Sequence, residues 1–323
     1  MWVVFQNATC HFRTFFQHKW LFSDFLFFKS SQTYFTFFQK LRFSIFKFFF
    51  SLKTAYFRRV QTLAKLKVRK SLLSIADKPI FTLTPIIHFS LALTALFLIP
   101  MINEAAIASF EGDLIFLMFI LALIILTVFL AGYGSASSFS IIGGVRSALQ
   151  MIGYEIPMAL SLIGPALSAG TLSISGIVQW QGSRGLWTVF LQPIGFIILI
   201  VCLLAELEFV PFDIPEAETE IVAGWRTEFS GRKLALFKLG KDLELLLASA
   251  LIASLYLGGA QTASIVPPIV IFLIKTVFAL LLLSISRALF ARFRIDQMVS
   301  GMWKYLIPLA TLQVILISLG VGR

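Results

Sequence analysis

From residue 82 onward the chain alternates between long, almost uncharged apolar runs and short polar connections. Seven such runs, at 82–101, 114–132, 147–169, 191–208, 242–259, 266–286 and 304–320, come close to the roughly 20 residues that carry a helix across about 30 Å of hydrocarbon. The apolar residues are continuous within each run. A membrane barrel would need them to alternate with polar ones, which argues against strands. The pattern predicts an all-α integral membrane protein with seven transmembrane helices and a further, poorly defined one near the N-terminus. No soluble domain is visible, and the longest connections are 170–190 and 209–241.

Composition agrees with the pattern. The 323 residues are 58% hydrophobic and 13% charged, against roughly 25% charged in a typical soluble domain. A net charge of +11 would suggest a nucleic-acid partner in a soluble protein, but here the basic residues flank spans. The segment 58–80 and the loops 133–146, 209–241 and 287–304 together hold 17 Lys and Arg, whereas 102–113, 170–190 and 260–265 hold one, Arg184. That bias puts the four basic segments on the cytoplasmic or matrix side. Cys10, Cys202, His11, His18 and His88 form no ligand spacing, so neither a disulfide framework nor a metal site is expected. No cleavable signal is evident either.

The chain divides into an atypical segment, 1–78, and a multi-spanning membrane domain, 79–323. The first 80 residues hold 17 of the 35 phenylalanines and 14 Lys and Arg, with two acids, Asp24 and Asp77, and no glycine. Charges break every apolar window there. A poor transmembrane helix, an interfacial amphipathic segment and a shifted reading frame all fit that composition.

Charges near a span cost about 2.5–3.5 kcal/mol each at the bilayer centre, so those that are kept point to function. Glu155 lies inside a span, two residues before Pro157, which leaves the Gly153 carbonyl without its helical donor. A freed carbonyl beside a carboxylate is what a proton relay uses. Arg146, near the start of that span, reads as an anchor. Glu206 and Glu208 end another span and differ by about 200° around a helix, so only one is expected to line the interior. Glu206 is the deeper. Next come Asp213, Pro215 and Glu216, a helix-capping pattern, followed by Glu218 and Glu220, which capping does not require. Asp213, Glu216 and Glu220 would share one face of a continued helix, where like charges repel and favour proton sharing. Arg292, Arg294, Asp296, Gln297, Trp303 and Lys304 could simply be a basic cluster with an interfacial tryptophan.

These residues carry a resemblance. Gly132, Ser135, Phe139, Gly143, Arg146, Gln150, Tyr154 and Glu155 form a run similar to the third-to-fourth-helix region of the quinone-site membrane subunit of respiratory complex I, a family with mitochondrial and bacterial members. Ala205-Glu206 through Pro211-Phe212-Asp213, then Glu216, Glu218, Glu220, Gly224, Arg226 and Glu228-Phe229-Ser230-Gly231, resembles its acidic loop. Arg292-Phe293-Arg294, Asp296-Gln297 and Trp303-Lys304 resemble its penultimate connection. The resemblance covers 79–320.

It implies an eight-helix subunit of a proton-translocating NADH:quinone oxidoreductase, placed in an energy-transducing membrane, prokaryotic or mitochondrial inner. Glu155, Glu206, Asp213, Glu216, Glu218 and Glu220 would then belong to the proton path. Arg146, Phe212, Arg226, Glu228, Arg292, Arg294 and Asp296 would belong to the quinone chamber. The chain would bind no redox cofactor or metal. Quinone would be the substrate, and an iron–sulfur cluster would sit in a partner. The partners implied are other membrane-arm subunits, peripheral iron–sulfur subunits and lipid, with no nucleic acid. Three departures stand out. The family's quinone-entrance motifs are not legible in 1–57, Phe209 stands where an arginine is usual, and Lys241 stands where an acid is usual, with Asp242 and Glu244 nearby. The same subunit type occurs in membrane-bound hydrogenases, where such departures are expected. A secondary transporter is the rival from another class, but it would show an internal repeat, and the acidic loop has no second copy.

Overall fold

The computed structural model describes residues 77–261, 267–320 and 322. The expectations for residues 1–76 lie outside the described residues. Among the described residues every regular element is helical. The order is α1 (Lys78–Phe97), α2 (Asp113–Gly134), α3 (Ser138–Ala169), α4 (Ile174–Arg184), α5 (Thr188–Leu191), α6 (Pro193–Glu206), α7 (Glu218–Ile221), a 3₁₀ turn (Gly224–Arg226), α8 (Gly231–Leu255), α9 (Pro268–Leu289), α10 (Ile295–Gly301), a π-helical turn (Met302–Leu306) and α11 (Ile307–Ser318).

The seven predicted spans correspond in order to α1, α2, α3, α6, α8, α9 and the run ending in α11. Helices α1, α2, α3, α9 and the continuous run Ile295–Ser318 are each long and apolar enough to cross a membrane. Helix α6 is apolar but shorter. Helix α8 has 25 residues, with Arg232, Lys233, Lys238, Lys241, Asp242 and Glu244 in its first half. Three starts come much earlier than expected. Helix α3 starts at Ser138 rather than 147, the last run at Ile295 rather than 304, and α8 at Gly231 rather than 242, so the acidic connection ends at residue 230 instead of 241.

Hydrogen bonds fix which ends lie together. The Asp77 amide donates to the Gly134 carbonyl (3.1 Å), and the Phe293 amide to the Pro211 carbonyl (3.0 Å). These contacts gather the start of α1, the end of α2, the acidic connection and the link between α9 and α10 at one end. At the other end the Leu114 amide donates to Leu172 (3.2 Å) and the Val189 amide to Tyr256 (3.0 Å). The predicted basic loops 133–146, 209–241 and 287–304 therefore share an end of the bundle.

Lipid gives helices little hydrophobic reason to associate, so close packing and polar contacts hold them. A Cβ on Gly132 would lie 2.6 Å from the Ser140 carbonyl oxygen, so α2 and α3 touch backbone to backbone there. The Gln150 side chain donates to the Ala205 carbonyl (2.7 Å), which also accepts from the Glu208 amide (3.1 Å) where α6 ends, and Tyr256 Oη donates to the Ser161 carbonyl (2.7 Å), which Pro165 leaves without a helical donor. An unpaired carbonyl in that setting would cost several kcal/mol. Ile269, Leu273, Ile274 and Phe278 stay exposed on α9, as a lipid-facing side requires.

Candidate functional site

The acidic connection is seated by aromatic packing and glycine. Phe81 stacks on Phe229 at 4.1 Å, and Trp225 meets Phe237 edge-on at 4.8 Å, in a buried cluster joining α1, α2 and α8. A Cβ on Gly143 would lie 2.5 Å from the Trp225 amide nitrogen. The polar, glycine-rich start of α3 is thus a docking face for the connection, and Arg146 lies two turns inside the helix rather than at its start.

At the surface of this connection the acids are met by arginines. Arg146 Nη1 donates to Glu220 Oε2 (2.6 Å), and Arg292 Nη2 lies 3.6 Å from Glu220 Oε1. Arg226 pairs with Glu216 and lies over the Trp225 ring. Phe212 is buried and packs against Phe293 at 6.0 Å. Arg287 covers the Phe209 ring at 4.7 Å. Glu228, Arg294 and Asp296 are exposed, the last two at the start of α10.

The expected shared acidic face does not form. Only Glu218–Ile221 is helical, its N-cap is Ala217, and no side chain caps it. Asp213 lies before that helix in irregular backbone, and Pro215 and Glu216 lie in a turn, so the capping pattern has no helix to cap. The hydrogen bond from Arg146 holds the Glu220 carboxyl below the usual glutamate value. Burial pushes the Asp213 carboxyl up, against the pull of Arg292. Asp213 Oδ1 has no hydrogen-bond partner in the structure.

Beneath the connection lies a buried ionic cluster. The chain leaves helix at Glu206, and Glu208 takes a left-handed conformation (φ 54°), which costs a side-chain-bearing residue about 1–2 kcal/mol. That turn brings Glu208 back inside. Glu206 and Glu208 are 2% and 5% exposed, so both face the interior. The helical 200° offset does not apply once the helix has ended. Ser147 Oγ donates to Glu208 Oε1 (2.7 Å), which offsets the strain. Lys241 Nζ lies 3.2 Å from Glu208 Oε2 and 3.1 Å from Glu244 Oε2. His88 Nε2 lies 2.9 Å from Glu244 Oε1. Glu206 is the neighbour of Tyr154, and neither Glu206 Oε1 nor Tyr154 Oη makes a hydrogen bond of ordinary geometry.

Of the sequence candidates, only Glu206 belongs to this cluster. Asp213 lies between it and the arginines, with Glu208 on one side and Arg292 and Arg226 on the other. Glu155 is half-buried, about 100° around α3 from Tyr154, and is not among the charges acting on Glu206. Glu208, Lys241, Glu244, Ser147 and His88 were not selected from sequence. The signal was Lys241, a lysine at the mouth of an apolar run, which requires buried counter-charges. No three metal-ligating side chains converge among the described residues.

The chain is similar to known proteins over most of its length. Residues 52–318 match the NADH dehydrogenase family, beginning well before residue 79, where the resemblance becomes legible by eye. The H subunit of the NADH-quinone oxidoreductase of Bacillus mycoides (strain KBAB4) is 38% identical over 247 residues, 76% of this chain and 74% of that protein. The proteins of the same name from Bacillus thuringiensis (strain Al Hakam) and Bacillus cereus (strain AH187) are each 37% identical over the same shares.

Proposed function

The chain belongs to the NADH dehydrogenase family, and from that premise we propose that it forms the quinone chamber and the entrance of the proton path in the membrane arm of a proton-translocating NADH:quinone oxidoreductase. It is a multi-pass protein of the energy-transducing membrane and a subunit of that complex. The observation that supports the chamber and relay most is the buried set Glu206, Glu208, Lys241 and Glu244 directly beneath an arginine-lined acidic connection. Ionisable groups so placed are costly in a membrane protein and mark ion or proton pathways.

Reducing a quinone to a quinol takes two electrons and two protons. In this reading the electrons come from an iron–sulfur cluster in a peripheral partner, and the chain itself carries no redox group. Arg146, Arg226, Arg292 and Arg294 favour the negative charge that develops on the ring oxygens, Phe212 packs against the quinone plane, and Glu228 and Asp296 set the polarity of the chamber rim. Asp213 connects the two levels. A change of charge among the arginines acts on Asp213, and through it on Glu208 and Lys241. In this path Glu216, Glu218 and Glu220 form the entrance, with Glu216 and Glu220 paired to arginines, and Glu206 with Tyr154 carries the proton inward. Glu155 continues the path from its half-buried place on α3.

A photoreactive quinone analogue tests the chamber in the native complex. Labelled peptides from 209–230 or 290–296 of this chain support the reading. Labelling confined to other subunits, or to the opposite end of this one, overturns it.

A further inference from the structure

His88 sits in the middle of α1, fully buried in an otherwise apolar helix. Its place is built. A Cβ on Gly240 would lie 2.5 Å from His88 Cδ2, so glycine lets the ring reach α8, and Phe237 tilts against it at 5.0 Å. The hydrogen-bond pattern then fixes its protons. Thr127 Oγ1 donates to the Ile124 carbonyl at 2.6 Å and lies 3.0 Å from His88 Nδ1. With the hydroxyl proton committed to Ile124, Thr127 can only accept, so Nδ1 carries a hydrogen. His88 Nε2 faces Glu244 Oε1 at 2.9 Å. Two bare lone pairs would repel at that distance, so the pair holds one proton, in an ion-pair contact outside ordinary hydrogen-bond alignment.

We propose that the His88–Glu244 pair is a proton-holding terminus of the buried cluster, loaded from the Lys241 and Glu208 side, and that Thr127 is its positioning residue. The inference rests on the proposed proton path and adds to it a branch ending on α1. One proton on the pair makes the four groups His88, Glu244, Lys241 and Glu208 net neutral, and its removal leaves one uncompensated negative charge. The Thr127 hydroxyl ends in a backbone carbonyl, so the proton returns by the route it came. The ionisable groups facing the pair are Lys241 from α8, Glu206 in α6, Tyr154 of α3 and Arg226 of the connection, with Glu208 on the far side of Lys241. Helix α2 contributes the Thr127 hydroxyl.

The test uses the native complex in sealed membrane vesicles, with quinone reduction and proton uptake followed as a function of pH. Rates are normalised to the amount of assembled complex. His88→Gln keeps a donor toward Glu244 but cannot exchange its proton. Its coupled rate should fall about ten-fold or more, and its pH dependence should flatten. Thr127→Val keeps the shape of the side chain and removes the acceptor that fixes the ring, so its pH profile should shift with a smaller loss of rate. An unchanged pH profile in Thr127→Val, or in assembled His88→Gln, overturns the inference. Glu206→Gln in the same vesicles separates the two claims. Normal coupling there removes the proposed proton path itself, whereas blocked coupling there with unaltered His88 and Thr127 variants removes only this terminus.

Discussion

Lys241 Nζ lies 3.2 Å from Glu208 Oε2, and the contact ties the turn that follows α6 to the inner face of α8. Glu208 and Glu244 flank the lysine, and His88 lies behind Glu244.

Removing the cation leaves two buried carboxylates facing each other. Lys241→Met is expected to destabilise the protein by about 3–5 kcal/mol, the usual cost of breaking a buried ion pair from one side. Thermal unfolding of the purified complex, and the yield of assembled complex, measure this. The double variant Lys241→Met with Glu208→Gln should recover part of the loss. Equal stability of the single variant and the unmodified complex would mean that the ion pairs do not hold these helices.

Asp213 separates a structural role from a chemical one. No helix needs it as a cap, so Asp213→Asn should leave assembly intact. Its carboxyl is raised above the ordinary 3.8 by burial. Ionising it therefore costs stability, which is greatest below 3.8 and declines as pH rises through the raised value. Asparagine removes that decline while abolishing proton exchange. The complex should be no less stable at neutral pH, and turnover should drop by about ten-fold or more. Full turnover in an assembled Asp213→Asn complex would take Asp213 out of the path.

The Arg146–Glu220 contact has the opposite sign. The Glu220 carboxyl is held below its ordinary 4.5, so the contact's contribution is fully present above 4.5 and is lost as pH falls through the depressed value. The group is exposed, and the effect should be small and weakened by salt. Proteolysis of the connection in oriented vesicles should quicken at low pH in the unmodified protein. In Glu220→Gln it should already be fast at neutral pH. Identical rates in the two proteins at neutral pH would show that the contact does not secure the connection.

Much of this architecture was legible in the sequence because lipid imposes long apolar windows, and α2 and α9 could hardly read otherwise. The early starts of α3 and α8 were not legible. Gly143 and Gly144 look like loop residues until the connection that packs on the first and the α2 backbone that packs on the second are in place, and Arg232, Lys233 and Lys238 look like a solvated loop although they are helical. At the site, Glu206 could be read from its depth. Glu208 could not, because its inward turn depends on the helix ending two residues earlier and on Ser147, 61 positions away. His88 showed only that it fits no ligand spacing, since Gly240 and Glu244 meet it only through the packing of α1 against α8.

The central claim is that protons pass through the buried cluster when the complex reduces quinone. The direct measurement is proton translocation per electron in sealed vesicles containing the Glu206→Gln complex. Glutamine keeps the size and hydrogen bonding of the side chain beside Tyr154 but cannot carry a proton. The account predicts an assembled complex whose proton translocation is abolished or reduced about ten-fold or more. Proton translocation per electron equal to that of the unmodified complex would contradict it.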